Sequence, residues 1–216
     1  PDECCEPVLP PQAEPAGTAK NRYLSVQGDN PGKFTALRVK LTSLQHPNPP
    51  NAPSYPARDF SAFEGQYRWV GPPIVYREGT DPTPTFTAAR LQCVPYYADW
   101  AAVGLVHVYG AEIIPSSLYH VQAIEPECGI RGESDYSPAL TVVTSRWGDV
   151  EAPFNPPSGA AQPDALDITA LVNKFKGVPG SLQKVRAQLQ PAILNPGNEI
   201  NALDVVAAVD AFIGKE

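Results

Sequence analysis

In the segment TALRVKLTSL (35–44), Leu37, Val39 and Leu41 alternate with polar neighbours, the mark of a strand that buries one face. Similar apolar-rich runs lie at Gln66–Val70, Thr85–Cys93, Val103–Tyr109, Leu118–Ile124 and Leu140–Ser145, with turn residues between them. Short strands at such spacing predict a β-sandwich. Beyond Arg146-Trp147-Gly148-Asp149 the pattern turns helical. The segments DALDITALVNKFKG (164–177) and NALDVVAAVDAFIG (201–214) align at an offset of 37 and share seven of fourteen residues. In each, apolar residues recur at i, i+3, i+4 and i+7, from Ile168 and from Val205, which predicts a duplicated amphipathic helix. The stripe expects Ile168, Leu171, Phe175, Val205, Val209 and Phe212 to pack inside. Asp167 and Asp204 stand where an N-cap or first-turn acid belongs, and Gly177 and Gly214 where a C′ residue belongs. The stretch Gly180–Gln190 fits either a short helix or an extended bridge.

Composition sharpens this picture. Of 216 residues, 43% are hydrophobic and only 18% charged, enough apolar content for a folded core. Proline is the outlier at 26 residues, against a usual share of about 5%. Proline lacks an amide donor and breaks helix interiors, so short strands and many loops are expected. Two proline clusters mark loops or arms: residues 1–20, read as an extended N-terminal arm, and Pro47, Pro49, Pro50, Pro53 and Pro56. The net charge of −7 argues against a nucleic-acid partner, which needs a basic face. The longest apolar run, Trp100 to Val106, is far shorter than the roughly 20 residues of a membrane span.

The chain begins Pro1-Asp2-Glu3-Cys4-Cys5 and contains no Met, which reads as a processed, secreted chain of extracellular or cell-surface location. Four cysteines in such a chain suggest disulfides. Cys93 and Cys128 lie in separate strand-like regions and are the candidate pair. Cys4 and Cys5 leave a vicinal bond, a link to another chain and free thiols open. His46, His107 and His120 are not at metal-ligand spacing, so no zinc site is expected. Strand alternation places His107 and His120 on exposed faces.

Two resemblances become usable at this point. IIPSSLYHVQAI (113–124) resembles the corner and following strand of a fibronectin type III module. The resemblance implies that Tyr119 bonds back to nearby backbone through its hydroxyl while its ring joins the core. YSPALTVVT (136–144) is similar to the last strand of that module, and Trp69 to its core tryptophan. An immunoglobulin-like sandwich of another topology would explain most of the same residues. The duplicated loop-helix unit resembles a type I dockerin, a module that carries paired calcium loops and binds another protein. Calcium takes six to eight oxygen ligands, hence the dense Asp and Asn such loops need. The resemblance implies calcium ligands at Asp149, Asp164 and Asp167 in the first loop, and at Asn201 and Asp204 in the second. Departures are visible too. Asp149 to Asp167 spans 18 residues instead of about 11, and the second loop starts at the neutral Gln188. The acids also suit plain helix capping.

No GxSxG elbow, HExxH, P-loop or GxGxxG occurs, and the chain is expected to be non-catalytic. Trp100, Tyr97, Tyr96, Tyr55, Phe60 and Phe63 can form a platform for a glycan, with Trp100 and Tyr97 as the binding pair, or can serve as core and loop packing. The expected architecture is therefore mostly β with a small α module: an arm (1–20), an immunoglobulin or fibronectin III-like sandwich (21–147) and a dockerin-like helix pair (148–216). The expected role is that of a structural or adhesive subunit whose partner is another protein or a second copy. An arm laid along a neighbour's sheet edge is one route to a homopolymer. A carbohydrate-binding accessory module, or the non-catalytic portion of a secreted enzyme, is the alternative.

Overall fold

The computed structural model describes residues 9, 11–13, 22–44, 63–79, 84–126, 132–152, 154, 163–190 and 194–214. It is β-rich with a small helical part. The strands are β1 (Gln12–Ala13), β2 (Tyr23–Gln27), β3 (Thr35–Leu44), β4 (Tyr67–Arg77), β5 (Thr85–Gln92), β6 (Tyr97–Ala98), β7 (Leu105–Tyr109), β8 (Ser117–Ile124) and β9 (Leu140–Val143). The helices are α1 (Trp100–Val103), α2 (Ala165–Phe175), α3 (Lys184–Ala187) and α4 (Ala202–Phe212). The sheet runs β1-β2-β7-β5-β4-β3-β8-β9, with β6 paired to β3. Its two ends, β1 and β9, come into contact, so the sheet curls almost into a barrel.

Most neighbours are antiparallel; β5 and β7 are parallel. A parallel pair requires a crossover of about a dozen residues. Residues 93–104, carrying β6 and α1, supply it. The sequence pattern ends the fourth strand at Val70, yet β4 continues to Arg77 through Gly71-Pro72-Pro73. Two features permit this. The β4–β5 register shifts between Val70 and Pro73, and β3 pairs with β4 only from Tyr67 to Trp69. The prolines thus stand at a bulge and beyond the reach of β3, where a missing amide donor costs little.

Tyr119 on β8 is fully buried, and its hydroxyl accepts from the Ile114 N–H at 2.8 Å while donating to the Glu112 carbonyl at 3.0 Å. That hydroxyl therefore fixes the turn into β8. Trp69 is buried, as the sequence expects.

The helical repeat forms at its expected bounds. Asp164 and Asn201 are the N-caps, each accepting from the amide two residues on (Leu166 at 2.6 Å, Leu203 at 2.8 Å). Gly177 and Gly214 follow the C-caps with φ of +69° and +71°, a conformation that favours glycine. The ambiguous stretch after Gly180 holds α3. One hydrophobic cluster takes in Leu24, Val106 and Val121 from the sheet together with Trp147, Leu171 and Ala208 from the helical part. The change of secondary structure at 147–148 is therefore not a gap in packing.

His107 departs from the sequence expectation. It is buried, not exposed, with Nδ1 2.8 Å from Ser25 Oγ and its ring against Tyr23 and Phe86. The reason is that β2, β7 and β5 are covered on both faces. Val185 and Leu194 from the helical part pack with Tyr23, Phe86 and Tyr109 over the second face. Among the described residues, no helix is long and apolar enough to cross a membrane.

Candidate interaction surface on the helix pair

The duplicated aspartates organise the helical part. Asp167, at the third position of α2, is buried. Its Oδ1 accepts from the amides of Val150 at 2.7 Å and Glu151 at 2.8 Å, and its Oδ2 from Asp164 at 2.8 Å. Asp204 repeats this in α4. Its Oδ1 accepts from Leu189 and Gln190, both at 2.7 Å, and its Oδ2 from Asn201 at 2.8 Å. Each carboxylate closes a capping box and pins the first residues of the loop that leads into its own helix. A carboxylate offers about four acceptor sites, and three are used here. Burial pushes the Asp167 carboxyl above its ordinary range; the three amide donors oppose this to a smaller extent, and the nearby Asp164 charge adds slightly to it.

The loop starts also correspond. Asp149 is buried, with its carbonyl accepting from Ser145 Oγ at 3.0 Å. Gln188 stands in the matching place, and its amide reaches across the second loop. Oε1 accepts from the Asn195 amide at 2.8 Å, and Nε2 donates to the Asn198 carbonyl at 3.4 Å. A neutral side chain thus ties the second loop by hydrogen bonds alone. The structure accordingly brings Asp149, Asp164 and Asp167 into one neighbourhood, and Asn201 and Asp204 into another. Among the described residues, no group of three or more His, Cys, Asp or Glu side chains is placed to hold a metal ion.

Pinning the aspartates inward sets the rotation of both helices. The buried rows run Asp167–Leu171 and Asp204-Ala207-Ala208-Ala211. Of the stripe read from the sequence, Leu171 is fully buried and Ile168 and Val205 pack against the core, while its far edge turns to solvent. Phe175 and Phe212 consequently lie outside the core, 50% and 43% exposed. On the other flank, Leu166 and Leu203 are 56% and 63% exposed. Each repeat therefore borders its buried row with an exposed leucine and an exposed phenylalanine at equivalent positions. Val206 and Ile213 add to the second set.

No family model, curated protein or solved structure matches the chain. The surface must be read from its own chemistry.

Phe175 lines a cleft of about 680 Å³ between the end of β4, the start of β5 and the segment after α2, with Phe86, Val178, Leu182 and Ile200. Its charged groups are tied together. Glu78 Oε2 accepts from Lys174 Nζ at 3.0 Å and from the Lys184 amide at 2.7 Å, while Lys184 Nζ donates to Glu199 Oε1 at 2.8 Å. These bonds fix the exposed phenylalanine's surroundings to the sheet.

The other candidate residues lie apart from this surface. Trp100 is only 2% exposed, opening α1 with Nε1 donating to the Thr35 carbonyl at 2.8 Å, so its ring face is inside the core. Tyr97 is half-buried in a different cluster, beside Trp69 and Tyr136. The two do not share a platform. Phe63 is half-buried, and Tyr55 and Phe60 lie outside the described residues. The Tyr97 cluster also holds a residue that sequence reasoning missed, Arg38, whose guanidinium sits 3.5 Å from the Tyr136 ring centroid and pairs with Glu133. Cys93 is exposed just past β5; Cys128, Cys4 and Cys5 lie outside the described residues. A signal for Leu166 and Leu203 was present: identical apolar residues in both repeats, off the predicted stripe.

Proposed function

We propose that this chain is a non-catalytic, extracellular structural or adhesive subunit that works by contact with further copies of itself. In this reading an immunoglobulin-like sandwich carries a dockerin-like helix pair, and the helix pair presents the contact surface. The observation that supports it is the repeated exposure of Leu166 with Phe175 and of Leu203 with Phe212, large apolar side chains on a rigid, capped scaffold. Interaction sites are marked by apolar side chains that act together on a surface, and the paired substitution below tests whether these do. Repetition of the set gives one chain two related contact points, which chain growth requires.

The test is the size and shape of the native chain, by light scattering and negative-stain electron microscopy, beside a Leu166→Asp/Leu203→Asp variant. Concentration-dependent assemblies that the double variant disperses are expected; a monodisperse native chain would sink the reading. Running both with calcium and with EDTA separates two sources of loop stability. Assemblies loosened by EDTA would assign Asp149, Asp164, Asp167, Asn201 and Asp204 to calcium. Indifference would leave the acids as caps for backbone amides.

A further inference from the structure

The N-terminal arm does not hang free of the sheet. Two of its residues form β1, with Gln12 opposite Gln27 and Ala13 opposite Val26 on β2. Pro11 beside them is buried. Two residues earlier, Asn30 grips the backbone of Leu9 from both sides: its Oδ1 accepts from the Leu9 amide at 2.8 Å, and its Nδ2 donates to the Leu9 carbonyl at 2.9 Å. A single side chain thus imitates the pair of bonds a neighbouring strand would give.

The receiving side is firmly built. Gly28 packs so closely on α1 that a Cβ there would lie 2.5 Å from the Trp100 Cβ. The Gly32 amide donates to Asp99 Oδ2 at 3.0 Å, and the Lys33 amide to the Asn30 carbonyl at 3.1 Å. Asn30 is therefore held in position by the β2–β3 turn. The arm, in contrast, offers a two-residue strand, one buried proline and one clamped backbone unit. Among the described residues, these hydrogen bonds to the arm all engage its extended backbone, a recognition independent of which chain supplies it.

We propose that this edge of β2 is an acceptor site for the arm of a second copy, so that copies join by exchanging residues 9–13; the proposal rests on the reading of the chain as a self-assembling subunit. A second copy carries the identical segment and makes identical contacts, so the exchange changes little in contact energy. The eight residues 14–21 between arm and strand can span roughly 30 Å at full extension. A chain's own arm competes at an effective concentration on the order of millimolar. Exchange therefore belongs to crowded surfaces, or to assemblies already gathered by another contact such as the helix pair.

The test uses the full chain with Gln12→Pro and Ala13→Pro, which removes both amide donors of β1 and leaves the acceptor open. The probe is a fluorescein-labelled peptide of residues 6–14, followed by anisotropy. Relative to the wild-type chain, whose own arm competes, the proline-arm chain should bind the peptide at least about tenfold more tightly. Adding Asn30→Ala should reverse that gain, and a peptide with the same two prolines should not bind. Circular dichroism verifies that each variant is folded. On size exclusion, the proline-arm chain should still accept arms from tagged wild-type copies. If the wild-type chain assembles while the proline-arm chain binds peptide no better than wild type, the exchange is wrong and the structural reading stands. A wild-type chain that stays monomeric at every concentration overturns both.

Discussion

Asp167 shows at the scale of one side chain how burial and hydrogen bonding oppose each other. Its carboxylate collects three amide donors, yet the site is buried deeply enough that the carboxyl is pushed above its ordinary value of 3.8. The native state then holds the proton more tightly than the unfolded chain does. The stability linked to that proton is fully present below 3.8 and is lost as pH rises through the raised native value. In Asp167→Asn, the remaining carbonyl can still accept from Val150 and Glu151, but the new NH₂ faces the Asp164 amide, donor against donor. The variant should lose about 1–3 kcal/mol in urea melts. Because Asn does not titrate, the gap between wild type and variant should be widest in acid and narrow as the pH is raised. A gap that widens instead would mean that the three amides outweigh burial.

The elements follow from such residues, and the rotation of α2 is the case in point. Leu171 lies in the row set by Asp167 and is fully buried; Phe175 lies outside it. Leu171→Ala should therefore cost about 3 kcal/mol, the usual price of a cavity. Phe175→Ser should cost less than about 1 kcal/mol, as expected of a surface change. Equal losses would place the phenylalanine in the core and return the helix to the stripe read from the sequence. That stripe holds for Ile168, Leu171 and Val205 but not for Phe175 and Phe212, and it missed the buried aspartates, for a physical reason. Periodicity treats an aspartate as outward-facing, and it has no means of seeing backbone amides arriving from residues 150–151 and 189–190 to receive it. The helix ends were legible because caps and C′ glycines act locally. So were the spans of β3, β5, β7 and β8, where alternation or β-branched runs report burial directly. The sheet order was not legible, nor the burial of His107, since both depend on which distant segment covers which face. Among the proposed site residues, the repeated aspartates were visible as a pair. Their role came only with their partners, and the exposed leucines were passed over because they fell off the stripe.

At the scale of the whole molecule, the β and helical parts share one core, and Arg22 is the clearest single tie between them. It sits just before β2, almost fully buried. Nη1 donates to the Gln188 carbonyl at 3.1 Å, and the guanidinium lies 5.4 Å from the centroid of the Trp147 ring. Val185 and Leu194 close the second face of the sheet nearby, and Glu78 at the end of β4 holds Lys174 of α2 and the start of α3. A helix pair attached by a linker would melt independently of the sheet. One fastened by a shared core must melt with it. Calorimetry of the full chain should show one transition, with calorimetric and van't Hoff enthalpies equal. Arg22→Ala removes a charge-assisted bond and the packing of a long stem, a loss of about 3 kcal/mol. For a chain of this size that lowers Tm by roughly 6–12 °C. The transition should stay single, because the remaining ties still couple the two parts. Two separate transitions in the wild type, the first removing only helical signal, would show that the shared core does not act as one cooperative unit. The helix pair would then be free to take up its own partner without the sheet.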